Sequence, residues 1–506
     1  MNIFEMINSA FEFVVPIVNW LWNFPTNISW YASIPLIGQL PLMILLIFGA
    51  GGYFTIATRG VQFRYLKKSF KLMMKREDTD VGVNAFSSFM LSTASRIGPG
   101  NIAGVTGAIS VGGPGALFWM WLAALAGMAI SWAESTLAQI YKFRDGDEYK
   151  GGIATYATIV CGGKKYIGKI IAILFVIYAF ASHPTQTYQI FSSIQISIES
   201  LLGKEVDLQT PIFYALAVVL VIGTAIPVFK GINSVSKVCN KVVPVMALGY
   251  TAVVCILLIL NIGKLPAFFS AVFVQAFQPQ AFFGGAIGTV IAQGVKRGLN
   301  SNDAGKGTLT IPAAVADANH PAEQGFVQAL GVFFDTIIVC TATAFLIVGG
   351  QIWETNANWA ELSGNKVAVW TSSIAELVPG TGLDNIVVAL CAVAYFLFAY
   401  SSLIGLMSFT PVAISSLTMS KKGINIIRFF ACFIFVPLGI LCLMSGQSLD
   451  NLWSFVDVAA ALMCFANIYF LVKGRKTIIN CFKNYERNPE KRFVAEEIGV
   501  DSDVWK

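Results

Sequence analysis

The 506-residue sequence predicts an all-α polytopic membrane protein, and three observations carry that expectation. Mean hydropathy is +0.68 with only 12% charged residues, far outside the soluble globular range. Apolar stretches about 20 residues long recur along the whole chain, the length that crosses roughly 30 Å of hydrocarbon. Two of them are interrupted by "RIGPGNIAG" and "RGLNSNDAG". A plain bilayer-crossing helix does not contain such passages, because Pro removes a backbone donor and Gly loosens the helix.

Residues 1–34 read as an extracytoplasmic lead-in. Ile3, Ile7, Phe11, Val14, Val15 and Val18 recur at helical spacing opposite Glu5, Asn8, Glu12 and Asn19, the pattern of a helix lying in the membrane interface. An extra span is the alternative, opposed by Glu5 and Glu12. The first basic residue is Arg59, so the basic start of a signal peptide is missing.

About eleven spans follow within 35–473, at 35–57, 84–110, 114–141, 168–198, 211–229, 236–261, 281–311, 324–351, 384–410, 424–445 and 451–473. The interruptions fall in the second and the seventh. Loop 58–83 carries Arg59, Arg64, Lys67, Lys68, Lys71, Lys75 and Arg76, which assigns it to the cytoplasmic side of the cell membrane. Alternating sides from there puts 27 of the 34 Lys and Arg on the cytoplasmic side and only Lys204, Lys264 and Lys366 outside. The other four, Arg96, Lys296, Arg297 and Lys306, lie in the interrupted spans. The N-terminus is then outside, and 474–506 is expected to be an exposed cytoplasmic tail. A net charge of +6 sorted in this way points to no nucleic-acid partner. None of the nine cysteines falls in an outer loop and there is no CxxC pair, so neither a disulfide framework nor a zinc site is indicated.

Spans 2–6 (about 84–261) and 7–11 (about 281–473) each hold an odd number of crossings, so the second set enters from the opposite side: an inverted repeat. Arg96, Asn101, Ala103 and Gly104 recur as Arg297, Asn302, Ala304 and Gly305, each 201 positions on, and the same displacement carries Glu134 to Asp335. Irregular backbone at membrane depth is tolerated only where protein buries it or a wet cavity takes it up. A broken helix offers free N–H groups to a carboxylate and free carbonyls to a small cation. The "GPGN" break therefore reads as a binding site near the bilayer centre; a Gly/Pro kink used for close packing is the plainer alternative.

At these residues the chain resembles the alanine/glycine:cation symporters, also called sodium:alanine symporters. The stretches that carry the likeness are "LSTASRIGPGNIAGVTGAISVGGPGALFWMWLAALAGMA" (91–129), "GVKRGLNSNDAGKG" (294–307), "HPAEQGFVQALGVFFDTIIVCTATAFLI" (320–347) and "KVVPVMALGY" (241–250). The resemblance implies the five-plus-five inverted repeat of the leucine transporter behind one extra N-terminal span. It also implies uptake of a small neutral amino acid driven by sodium, or by protons, with no cofactor. Gly98, Pro99, Gly100 and Asn101 match positions facing the substrate carboxylate, and the carbonyls of Ala94 and Ile97 match positions facing sodium. Ser401 and Ser402 stand where the fold supplies hydroxyls to that ion. Asn302 and Asp303 occupy the place of the family's Asn-Glu pair, and Gln186 matches a Gln lining the pocket. Two departures bear on substrate and coupling: Pro99 stands where the family usually has Thr, and "LMSFTPVAISS" follows "SSLIG" where an aromatic-rich, Glu-containing stretch is usual.

Other residues read both ways. Arg96 and Arg297 suit either gating or pairing with an acid. Glu134 and Asp335 are functional candidates because a carboxylate is costly in a bilayer, and structural hydrogen bonding is the equal alternative. His183 and His320 are the only histidines and lie far apart in sequence, which argues against a metal or catalytic centre. No Ser/His or paired-carboxylate constellation suggests an enzyme. A channel and a non-transporting amino-acid sensor are the rival classes.

Overall fold

The computed structural model describes all residues except 1–2, 35–36, 77–78, 279–286, 356–358, 379–381, 418–419 and 449. The structure is built almost wholly of helices, and its one two-stranded sheet is a hairpin of β1 (Phe143–Asp145) and β2 (Glu148–Lys150). Among the described residues, eight helices are long and apolar enough to cross a membrane.

The expected interfacial helix is two helices, α1 (Ile3–Ala10) and α2 (Val14–Asn23). Their anchor is polar as well as apolar: Asn451 donates two hydrogen bonds to Asn8, from its backbone N–H at 3.0 Å and its side-chain amide at 2.9 Å, and Phe11 meets Phe455 at 5.1 Å. The first expected span is the 16-residue α3 (Leu42–Ala57). A Cβ on Gly51 would lie 2.7 Å from that of Ala126, so glycine there lets two helices touch backbone to backbone.

The second expected span is α4 (Ala85–Arg96) and α5 (Ala103–Gly112), and the third is α6 (Ala116–Ile140). Asn84 caps α4 by accepting the N–H of Ser87 at 2.9 Å, the usual device for satisfying an orphan donor at a helix start. Helices α7 (Lys165–Leu202), α8 (Pro211–Phe229) and α9 (Ile232–Leu260) follow. The seventh expected span is α10 (Ile287–Asn302) and the five-residue α11 (Thr310–Ala314); its first residues, 281–286, lie outside the described ones.

Helix α12 (Pro321–Val332) passes through a π-helical stretch, Phe333–Cys340, into α13 (Thr341–Gly350). The remaining long elements are α14 (Asp384–Ala413), α15 (Lys421–Phe430), α16 (Val436–Met444) and α17 (Asp450–Arg487). Helix α6 is the buried axis, packed against α3, α10 and α12, and Trp132 and Glu134 on it are both fully buried.

The expectation of an exposed tail is corrected. Helix α17 runs on to Arg487, and the following residues turn back onto the face that carries the Lys/Arg-rich loops. Phe493, Ala495 and Trp505 are buried with Ile140 and Cys481. The indole of Trp505 donates to the carbonyl of Gln139 at 2.7 Å, and Ser502 donates to that of Ile140 at 2.8 Å. Two large aromatic side chains, Phe493 and Trp505, within a polar stretch are the reason: exposed, they would leave an apolar patch in water.

Candidate functional site

The first break is built by one side chain. Helix α4 stops at Arg96, and Gly98 is extended (φ −134°, ψ −161°) before a 3-10 turn, Pro99–Asn101. Asn101 folds its Oδ1 back to accept the N–H of Gly98 at 2.9 Å, and its Nδ2 donates to Asp335 at 2.6 Å. Pro99 opens the turn at a position where a backbone N–H would have no partner inside it. A Cβ on Gly98 would lie 3.0 Å from Ser402 Oγ, so glycine is what allows α14 to approach the break.

The second break is held by another acid. Asp303 takes the left-handed conformation (φ 57°), as do Gly305 (84°) and Gly307 (78°). That leaves amides without helical acceptors, and Glu134 supplies them: the N–H groups of Gly305 and Gly307 donate to its two oxygens at 3.3 and 3.2 Å. Asn467 also donates to Glu134 and, at 3.0 Å, to the carbonyl of Gly305. Asp335 receives Ser301 Oγ at 2.9 Å and Thr336 Oγ1 at 2.8 Å besides Asn101. Each of the two acids, 201 positions apart, thus anchors the break of the opposite half, Glu134 the second and Asp335 the first. Their role in the structure is hydrogen bonding within the bundle.

Between the breaks lies a cavity of about 110 Å³, walled by Gly98, Pro99 and Gly100, by Tyr178 and Gln186 of α7, by Asn300, Asp303 and Lys306, and by Ser402. A Cβ on Gly100 would stand 3.9 Å from the carbonyl of Asn300, so the two interrupted elements nearly touch at its floor. A second space of about 900 Å³ adjoins it, and Thr185, Arg297, Trp453 and Asp457 line both. Two of the wall acids are held in ion pairs, while Arg297, which lines both spaces, makes none among the described residues. Lys306 Nζ meets Asp303 at 2.8 Å with both residues buried, and Lys296 meets Asp457 at 3.0 Å.

Of the residues singled out from the sequence, Gly98, Pro99, Gly100, Gln186, Asp303 and Ser402 come together around this cavity. Asn101 and Asn302 are fully buried behind it: Asn302 Oδ1 accepts the N–H of Ala304 at 3.0 Å, and its amide donates to Thr336 at 3.2 Å. Ala94 and Ile97 are buried in α4 and at its end. The two serines diverge. Ser402 donates to the carbonyl of Ser95 at 3.1 Å, beside the first break, whereas Ser401 turns to Phe398 O and Met246 Sδ at 3.1 and 3.2 Å.

Arg96 is tied by two bonds of 3.0 Å to Gln328, which agrees with neither a free gate nor pairing with an acid. Lys306, Tyr178 and Asp457 were not singled out as site residues. For Lys306 the signal was present, since it is one of four basic residues left inside interrupted spans. The described residues hold no group of three or more His, Cys, Asp or Glu placed to bind a metal.

Comparison with known proteins agrees with this architecture. Residues 26–498 match the family described as the sodium:alanine symporter family. In Bacillus subtilis, the putative sodium/proton-dependent alanine carrier YrbD is 32% identical over 92% of this chain and 94% of its own length. The amino-acid carrier protein AlsT is 34% identical over 93% and 92%, and the probable sodium/glutamine symporter GlnT is 32% identical over 88% of each chain. With two broken helices around a polar cavity and a match over nearly its whole length, the chain belongs to the sodium:alanine symporter family, whose members are membrane transporters of amino acids and not enzymes.

Proposed function

We propose that the protein is a secondary active symporter that takes up a small neutral amino acid, alanine or glycine, together with sodium. It works by alternating access around the two broken helices, in an eleven-span, five-plus-five inverted repeat with the N-terminus outside. The observation that carries this reading is the cavity itself: about 110 Å³ bounded by both breaks and by Ser402, a size for a small ligand. Half-helix ends supply N–H groups for a carboxylate and carbonyls for a cation, and Asp303 supplies a carboxylate for an ammonium. The Ser95 carbonyl and Ser402 hydroxyl, 3.1 Å apart, support an oxygen-lined sodium position. The 27-to-3 distribution of Lys and Arg supports the orientation.

A second reading, proton coupling or a larger neutral substrate such as glutamine or serine, is favoured by Pro99 and by the relatives named for protons and glutamine. Purified protein in liposomes, given labelled amino acids under separately imposed sodium and proton gradients, decides between them. Alanine or glycine uptake driven by sodium alone is the expected result. Binding without uptake under either gradient overturns both.

A further inference from the structure

Helix α15 has two faces. Lys421, Ile424, Asn425 and Arg428 recur at the spacing that puts side chains on one side of a helix. Ile426, Phe429, Phe430 and, beyond its end, Phe433 lie on the other and are 40–56% exposed. In a helix that continues as a membrane-crossing segment (Lys421–Met444), the second face is where acyl chains pack. The first face touches α8 and α14 only sparsely, Arg428 reaching the carbonyl of Phe229. It lines a separate cavity of about 260 Å³ together with the hairpin residues Glu148 and Lys150 and the end of α14.

The charges there are unbalanced. Lys421 and Arg428 face the cavity with Glu148 as its one carboxylate, while Lys150 pairs with Asp145 outside it. Arg428 makes two long bonds, to the carbonyl of Phe229 at 3.3 Å and to Asn425 at 3.4 Å, and its Nε is buried without a partner. A guanidinium two turns inside a membrane-crossing helix, with a donor left over, suits an oxyanion such as a phosphate, two of whose oxygens its planar fork binds by parallel N–H groups. The hairpin that walls the cavity lies on the side expected to carry the Lys/Arg-rich loops, and the exposed Phe229 of α8 accepts from Arg428 through its carbonyl.

We propose that this cavity binds the phosphate of an anionic phospholipid, with Arg428 and Lys421 holding the headgroup and Phe429, Phe430 and Phe433 contacting the chains. The site is separate from the transport cavity, and the proposal does not depend on what the protein carries.

The test uses the full chain in phosphatidylcholine nanodiscs, titrated with phosphatidylglycerol and, separately, with glycerol phosphate and inorganic phosphate. Retained lipid is counted by native mass spectrometry and thermal midpoint is followed. Wild type is expected to retain phosphatidylglycerol over phosphatidylcholine and to gain thermal stability. Lys421→Gln, at an exposed position that cannot harm folding, is expected to weaken retention roughly fivefold, the effect of one interfacial charge, and Arg428→Gln to weaken it further, with Arg428→Lys partly restoring it. Equal retention by wild type and Lys421→Gln with Arg428→Gln overturns the site. The same stabilisation by free phosphate overturns the lipid as its occupant.

Discussion

Asn101 and Asp335, 234 positions apart in sequence, share a hydrogen bond of 2.6 Å, and the same Asn101 side chain holds the N–H of Gly98 at 2.9 Å. The shape of the first break therefore depends on a carboxylate from the other half of the protein. Asp335→Ala would leave Thr336 without this acceptor and Asn101 and Ser301 with only the weakly accepting Cys340 Sγ, at 3.4 and 3.1 Å, at about 1–3 kcal/mol for each unsatisfied group. A thermal midpoint several degrees below wild type is expected, with uptake abolished. Asp335→Asn keeps the volume and is expected to fold while losing at least tenfold in uptake. Wild-type uptake by Asp335→Asn would show that the charge is dispensable.

Pro99 lines the cavity and has no N–H to offer a ligand. Pro99→Thr adds one donor and one hydroxyl at the mouth of the 3-10 turn. A net hydrogen bond contributes about 1 kcal/mol, so the apparent affinity for the transported amino acid is expected to change about fivefold with expression unchanged. Competition across a panel of amino acids measures it, and an unchanged profile means that this position does not meet the ligand.

The neighbouring serines give a paired control. Ser402 faces the first break and Ser401 faces α9, because successive residues on a helix diverge by about 100°. Ser402→Ala is expected to raise the sodium concentration for half-maximal uptake by about an order of magnitude, the loss of one charge-assisted contact. Ser401→Ala is expected to leave it within twofold. Equal effects from both would remove Ser402 from the ion's surroundings.

Lys142 gives a pH dependence to the folded tail. Its ammonium lies over the rings of Tyr149 and Trp505 at 3.9 and 4.9 Å and donates to the carbonyl of Ala316 at 2.7 Å. Burial pushes its pKa down to about 7, with Asp317 raising it and Arg492 lowering it further. The docked tail therefore holds fewer protons than the released one between about pH 7 and the ordinary lysine value, so raising pH through that window tightens docking. Below about pH 7 the effect is flat. Trypsin cleavage after Arg492, scored against Lys142→Met at each pH, is expected to slow as pH rises from 7 to 9 in wild type only. Parallel curves for the two proteins would exclude Lys142 as the cause.

What could be read from the sequence followed from signals that are local. Both breaks are written in Gly and Pro at fixed places, and the apolar runs located α8 to the residue, 211–229. The pairing of Glu134 with Asp335 was visible as a displacement of 201, but not what each acid does. That needs the N–H groups of Gly305 and Gly307 to point at Glu134, a contact across 171 and 173 positions that no periodicity encodes. Lys306 was visible as a stray charge, yet its place in the cavity depends on the left-handed turn at Asp303. The tail was misread because its composition is polar, while its packing rests on Phe493, Ala495 and Trp505 at no regular spacing.

The folded tail also sets the order in which this protein can be finished. The bonds from Ser502 to Ile140 and from Trp505 to Gln139 close loops of 362 and 366 residues. The same face holds a strand-like pairing of Val83 with Ala316. Contacts this distant in sequence form late, because long-range closure is slow. A message cut short after residue 488 would thus encode every long helix and still yield a protein with Ile140, Cys481 and the Lys142 ammonium bared to the aqueous side. Residues 489–506 therefore act as a cover that keeps these groups out of water, although no membrane-crossing helix needs them to form.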